Sequence, residues 1–369
     1  MIRRTPIALA LPLALASLVA HATPAPEPTP EPSGGKRTLA TIEVVGRLPA
    51  PETAEGSATT LDQSVLVSSR ALTVNEALRK VPGVTVRDEE GFGLRPNIGI
   101  RGSNPTRSTK VLILEDGLPA MYAPYGDNAS YYHAPIQRYD RIEVLKGAGL
   151  LRFGPQTITG AINYITPTPP DEAEGHVQVS AGTRGYGAVH ASVGGNGLLV
   201  DFGHKQGDGA RDNTHLEQSD LFAKYQWQVN DQHALTFRAN ALREESEVGY
   251  SGLTEAEYRN FGAEYYPFEN DLFDIEHGAL SASHAWTPRE GLQLLTSAYY
   301  TEFVRDWWRQ SSTTTDTQCG TAFRDARFRG ERVNPALCNS AQGRLRRYYT
   351  WGVDTRLSWD TSAFDTRGS

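Results

Sequence analysis

Two arginines, Arg305 and Arg346, stand where extended strands would aim them at one face. In "GLQLLTSAYYTEFVRDWW" a period of two puts Arg305 with Gln293, Ser297 and Thr301, and puts Leu292, Leu294 and Ala298 opposite. In "LRRYYTWGVDTRLSW" Arg346 shares a face with Tyr348, Thr350, Asp354, Arg356 and Ser358, against Tyr349, Trp351, Val353, Leu357 and Trp359. A guanidinium is planar and always charged, and its fork donates two parallel hydrogen bonds to a carboxylate. A pair of them suits a compact carboxylate anion. The alternative is that such charges only keep a polar face wet, the role expected of Lys224 and Arg238.

Other chemistry is poorly supplied. The serines of "SVLVSSR" lack the strained elbow that a nucleophile needs, and no His pairs with a Ser or Cys at motif spacing, so no enzyme is expected. No His, Cys or carboxylate cluster has metal-ligand spacing, so neither a metal site nor a cofactor is expected. The net charge of −7 argues against a nucleic-acid partner.

The elements that must position the arginines follow a compartment signal. Arg3 and Arg4 precede an apolar run from Ile7 to Ala20, and "AHA" ends it with small residues where a signal peptidase reads, so residues 1–22 are expected to be a cleaved leader. No later stretch approaches the roughly 18 apolar residues of a membrane helix. Residues 23–55 hold "TPAPEPTPEPSGG", an extended tail whose prolines lack amide donors, and then "LATIEVVG", a lone β-forming patch. That patch is either a first core strand or an exposed strand for another protein to pair with.

Residues 56–170 read as a small α+β globule. Thr73 with Glu76 caps a short helix in "TVNEALRKVPG", "KVLILEDGLP" runs into an Asp116-Gly117 turn, and "IEVLKGAGLLRFGPQTITGAINYIT" supplies a last strand pair. From residue 171 long alternating strands take over. In "DLFAKYQWQVN" Leu221, Ala223, Tyr225, Trp227 and Val229 share one face and polar residues the other. A soluble sandwich alternates in the same way. Strand length, long insertions at 248–272 and 310–344, and aromatic residues near strand ends favour a membrane barrel.

Cys319 and Cys338, the only cysteines, fall in the second insertion. An oxidising compartment predicts a Cys319–Cys338 disulfide that closes this loop. Arg324, Arg327, Arg329 and Arg332 in the same loop are expected to form a cationic funnel.

"NIGIRGSNPTRSTKVLILEDGLP", "APYGD" and "IEVLKGAGLLRFGPQTITGAINYIT", in that order, resemble the plug domain of TonB-dependent outer-membrane receptors, and among these most closely the ferric-citrate branch. The resemblance implies a transmembrane β-barrel of about 22 strands with an N-terminal α+β plug, in the outer membrane of a Gram-negative bacterium. It implies that Thr41, Ile42, Glu43, Val44 and Val45 are the TonB box, gripped by TonB of the TonB–ExbB–ExbD complex. Arg101, Gly102, Lys146, Gly147, Arg152 and Gly154 become plug structure, with Arg101, Lys146 and Arg152 fastening plug to barrel through ion pairs. Arg305 and Arg346 align with residues that contact the anion, and Tyr125 and Asp127 fall in an apical plug loop with Tyr122, Tyr131, Tyr132 and His133. Asp127 replaces the family's substrate-facing glutamine, and a carboxylate beside an anion is unfavourable unless paired.

The implied partners are thus TonB, a ferric chelate and outer-membrane lipid, with iron arriving already chelated. The alternatives are a receptor for haem or cobalamin, or a non-energised porin or surface-binding protein. About eight strands are expected between Gly175 and Trp359, too few to enclose a plug, so the chain is expected to be part of a longer receptor.

Overall fold

Local caps and tight turns build the first half of the chain. The structure, a computed structural model, describes residues 57–89, 91–120, 130–147, 157–247, 252–268, 271–309, 319–334 and 342–359. The leader, the proline tail, the TonB-box residues Thr41 to Val45, and Tyr122, Tyr125, Asp127, Arg152, Gly154 and Cys338 lie outside the described residues.

Strand β1 (Ser57–Leu61) is followed by α1 (Gln63–Ser69), whose N-cap Asp62 accepts from the Val65 amide at 3.0 Å. In α2 (Val74–Leu78) Thr73 Oγ1 accepts from the Glu76 amide at 3.3 Å, and Glu76 reaches back to the Leu72 amide at 2.8 Å. Strands β2 (Val84–Val86) and β3 (Ile98–Ile100) pair with each other. Then come β4 (Val111–Glu115), β5 (Leu118–Pro119), β6 (Arg141–Lys146) and β7 (Gly160–Ile165). Asp116 and Gly117 both take positive φ, +48° and +79°, as a two-residue hairpin turn between β4 and β5 requires. With β1 these strands make a five-stranded sheet in the order β1-β6-β7-β4-β5, in which β4 and β7 run parallel. The runs "VLIL" and "AINYI" are buried on both faces, which is why they are apolar without alternation.

The second half is an antiparallel meander of eight strands. They are β8 (Glu174–Ala181), β9 (Gly187–Gly195), β10 (Leu198–Asp208), β11 (His215–Asn230), β12 (His233–Glu247), β13 (Leu272–Arg289), β14 (Leu292–Arg309) and β15 (Gln342–Trp359). Two-residue turns join β9 to β10, β11 to β12 and β13 to β14 at one end, whereas the other end carries the long connections. Two of these hold helices, α3 (Glu255–Phe261) and α4 (Gly320–Arg329). The outward face exposes Tyr225, Trp227, Phe237, Leu280, Trp286, Trp351, Val353 and Leu357, an apolar surface suited to lipid. No helix among the described residues is long and apolar enough to cross a membrane.

The inward face packs on the plug. Leu242, Phe273, Ile275, Phe303 and Trp307 of the meander join the plug's Ile98, Leu112, Tyr131, Val144 and Ile162 in one core.

Candidate functional site

Arg305 lies on the inward face of β14 and is 1% exposed. Its guanidinium stacks on the ring of the plug's Tyr131, 4.3 Å from the centroid. Its Nε and Nη1 have no hydrogen-bond partner among the described residues. Removing such donors from water costs about 1–3 kcal/mol each when no acceptor replaces it. Arg346 stands directly opposite on β15, on the same face by register, and is exposed, with Nη1 donating to Tyr348 Oη at 2.9 Å. The structure thus brings the two sequence-predicted arginines together.

Three further arginines gather there. Around the Trp307 indole lie Arg305 at 5.6 Å, Arg309 at 4.4 Å, Arg344 at 5.3 Å and the plug's Arg107 at 5.7 Å. Arg107 also covers Tyr131 at 4.7 Å and pairs with Glu89 at 3.2 Å. Each stacked guanidinium gains about 0.5–2 kcal/mol from the ring and still presents donors at its edge. The sequence reading missed Arg107, Arg309, Arg344 and Trp307. A signal existed for two of them, since Arg305, Trp307 and Arg309 alternate along one strand face.

Several expected roles are corrected. Among the described residues Arg101 and Lys146 make no ion pair to the barrel: Arg101 Nη2 donates to the Lys146 carbonyl at 3.2 Å, and Lys146 Nζ donates to the Pro82 carbonyl at 2.8 Å and Thr59 Oγ1 at 3.3 Å. Both sit on the plug's own bends, where Gly102 and Gly147 take φ of +79° and +123°. Ion pairs from plug to barrel come instead from Arg95 with Glu244, Arg138 with Asp220 at 3.1 Å, and Asp116 with Arg238 at 2.6 Å and Lys224 at 3.7 Å.

Lys224 and Arg238 are therefore clamps and not wet lining. Burial pushes the Asp116 carboxyl up, but Lys224, Arg238 and hydrogen bonds from Thr166 prevail and hold it at about 2. Three of the four arginines of the expected funnel have their charges offset by local carboxylates. Arg324 pairs with Asp325 and Arg329 with Glu331, while Arg327 pairs with the fully buried Glu257 and Arg332 covers Phe261. Together Glu257–Arg327, Phe268 and Phe323 bind α3 and α4 into one cap on the long-loop end. Cys319, at the start of α4, is disulfide-bonded.

Of the apical aromatic residues, Tyr132 stacks on His277 at 3.9 Å and accepts from Arg138 Nη2 at 3.1 Å. His133 bonds Tyr164 Oη at 2.9 Å, and burial, aided by Arg95, lowers its pKa to about 3 and keeps it neutral. Both are packing residues, whereas Tyr131 contacts Arg305 and Arg107. Among the described residues no three His, Cys, Asp or Glu side chains converge to hold a metal ion.

Residues 50–161 match the TonB-dependent receptor plug domain. The chain is similar to the vitamin B12 transporter BtuB of Vibrio vulnificus, 31% identical over 227 residues, 58% of this chain and 35% of that protein. The BtuB of Photobacterium profundum is 26% identical over 220 residues, covering 56% and 34%. The chain thus spans about a third of the length of these curated relatives. Among solved structures, the ferric citrate transporter FecA in its unliganded form superposes with a TM-score of 0.62 at 23% identity, over 70% of this chain and 41% of that one. The siderophore receptor PiuA of Acinetobacter baumannii gives 0.61 at 16% identity, over 83% and 43%. At these identities the likeness is one of fold.

Proposed function

We propose that the chain, whose residues 50–161 match the TonB-dependent receptor plug domain, forms the plug and opening barrel strands of an importer for an anionic ferric chelate. The cargo is ferric citrate or another carboxylate siderophore, brought in already chelated and released inward when TonB pulls on Thr41 to Val45. The protein binds and moves its cargo and is not an enzyme. The observation that carries this reading is Arg305, a buried guanidinium with two unsatisfied nitrogens, faced by Arg346. A guanidinium whose two buried nitrogens find no acceptor among the described residues is explained by an anionic ligand that completes it.

A second reading, a corrinoid cargo, is favoured by the names of the curated relatives. Titrating ferric citrate and cyanocobalamin in turn, with the fluorescence of Trp307 among the arginines as readout, separates the two. Saturable quenching by ferric citrate that is lost in Arg305→Gln supports the proposal. A response to cyanocobalamin alone transfers the site to the second reading.

A further inference from the structure

On the first three strands of the meander, away from the arginines, three titratable side chains are joined end to end. His176 Nε2 on β8 lies 3.2 Å from His190 Nδ1 on β9, and His190 Nε2 lies 2.7 Å from Asp201 Oδ2 on β10. Backbone register fixes the arrangement. His176 and Asp201 are both directly opposite Ser192, two residues from His190, so all three side chains leave the same face. Asp201 is 5% exposed, and its carboxylate accepts the Nε2 proton of His190. That hydrogen bond selects the tautomer whose Nδ1 is a lone pair directed at His176. His176 itself is exposed, so an ion in solution reaches the pair.

We propose that His176 and His190 bind one borderline divalent transition-metal ion, such as Zn2+ or Cu2+, with Asp201 as the outer carboxylate. Two imidazole nitrogens held about 2.0–2.1 Å from one ion at a near-tetrahedral angle stand roughly 3.3 Å apart. The 3.2 Å between His176 Nε2 and His190 Nδ1 meets that requirement with little movement. The ion sits off the line between the two nitrogens, with the rings tilted so that both lone pairs meet it, and the proton they shared moves to the other ring nitrogen of His176, so none is released. Water completes the coordination, which keeps the site open. Imidazole donors favour Zn2+, Cu2+ and Ni2+ over Ca2+ and Mg2+. The sequence separation of 14 between the two histidines places the ligands on neighbouring strands, which is why no short motif marks them.

The test is a Cu2+ titration of the purified 369-residue chain in detergent, followed by electron paramagnetic resonance. The first equivalent is expected to show coupling to two nitrogens, and His176→Gln or His190→Gln to abolish it. Asp201→Asn should keep the two-nitrogen pattern but weaken binding about 10- to 100-fold, the usual cost of losing the group that orients a ligand histidine. His176 is exposed, so its replacement leaves the packing intact. A second pair, His233 and His284 with nitrogens 2.9 Å apart, has no hydrogen-bonded carboxylate among the described residues and serves as the control. A two-nitrogen signal that survives His176→Gln and disappears in His284→Gln overturns the proposal. So does a native chain that shows no such signal.

Discussion

Replacing Arg305 with methionine should make the empty protein more stable and the binding site worse. Among the described residues Arg305 Nε and Nη1 are buried without partners, a cost of about 1–3 kcal/mol each. Against that, its stack on Tyr131 at 4.3 Å contributes about 1–2 kcal/mol where water is excluded. Methionine fills similar volume and adapts to the Tyr131 and Trp307 rings, so the net change is a gain of about 0–5 kcal/mol. Binding moves the other way. Two hydrogen bonds to a charged acceptor, each near the lower bound of about 1.5–3 kcal/mol, disappear together, which weakens a carboxylate chelate by about 3 kcal/mol, roughly 150-fold. Urea titration of detergent-solubilised protein measures the first effect and calorimetric titration with ferric citrate the second. A variant that is less stable and binds normally would refute the reasoning, since Arg305 would then be an ordinary packing residue.

Arg346→Ala should weaken the same anion by less, about 1 kcal/mol, because Arg346 is exposed and its contact is screened by solvent; calorimetry on both variants ranks them. On the proposal that TonB pairs with Thr41 to Val45, Ile42→Pro, which removes an amide donor there, should abolish energised iron uptake by a receptor carrying this chain while surface binding persists, as radiolabelled iron assays would show. The depressed Asp116 carboxyl predicts an acid limit. A group held below its unfolded value stabilises the fold above about pH 4 and loses that contribution as pH falls through about 2. Native protein should exceed Asp116→Asn by at least about 2 kcal/mol at neutral pH, and the gap should close below about pH 2 in acid–urea titrations.

Strand faces are legible in the sequence because lipid and lumen impose opposite demands on alternate residues. Leu221 to Val229 point outward and Arg305 inward as a period of two requires, and Thr73 with Glu76 marks α2. Periodicity names a face but not what stands across from it. That is why Lys224, Arg238 and Arg305 look alike in the chain, although two clamp Asp116 and the third finds no carboxylate among the described residues. The long connections look like polar loops, yet Thr254 and Glu257 form a capping box that announces α3. No comparable signal announces α4, whose N-cap Cys319 makes no side-chain cap and whose Arg327 finds its carboxylate on a different loop. Arg95 and Arg138 escape notice as anchors because their partners, Glu244 and Asp220, lie 149 and 82 residues away.

The central claim, that the arginine cluster receives an anionic ferric chelate, is tested most directly by an anomalous diffraction map at the iron edge from crystals of a receptor carrying this chain grown with ferric citrate. The account predicts an iron peak at the long-loop end of β14 and β15, with citrate oxygens within hydrogen-bond distance of Arg305 Nε or Nη1. Iron bound elsewhere, with Arg305 still stacked on Tyr131 and unpaired, would contradict it.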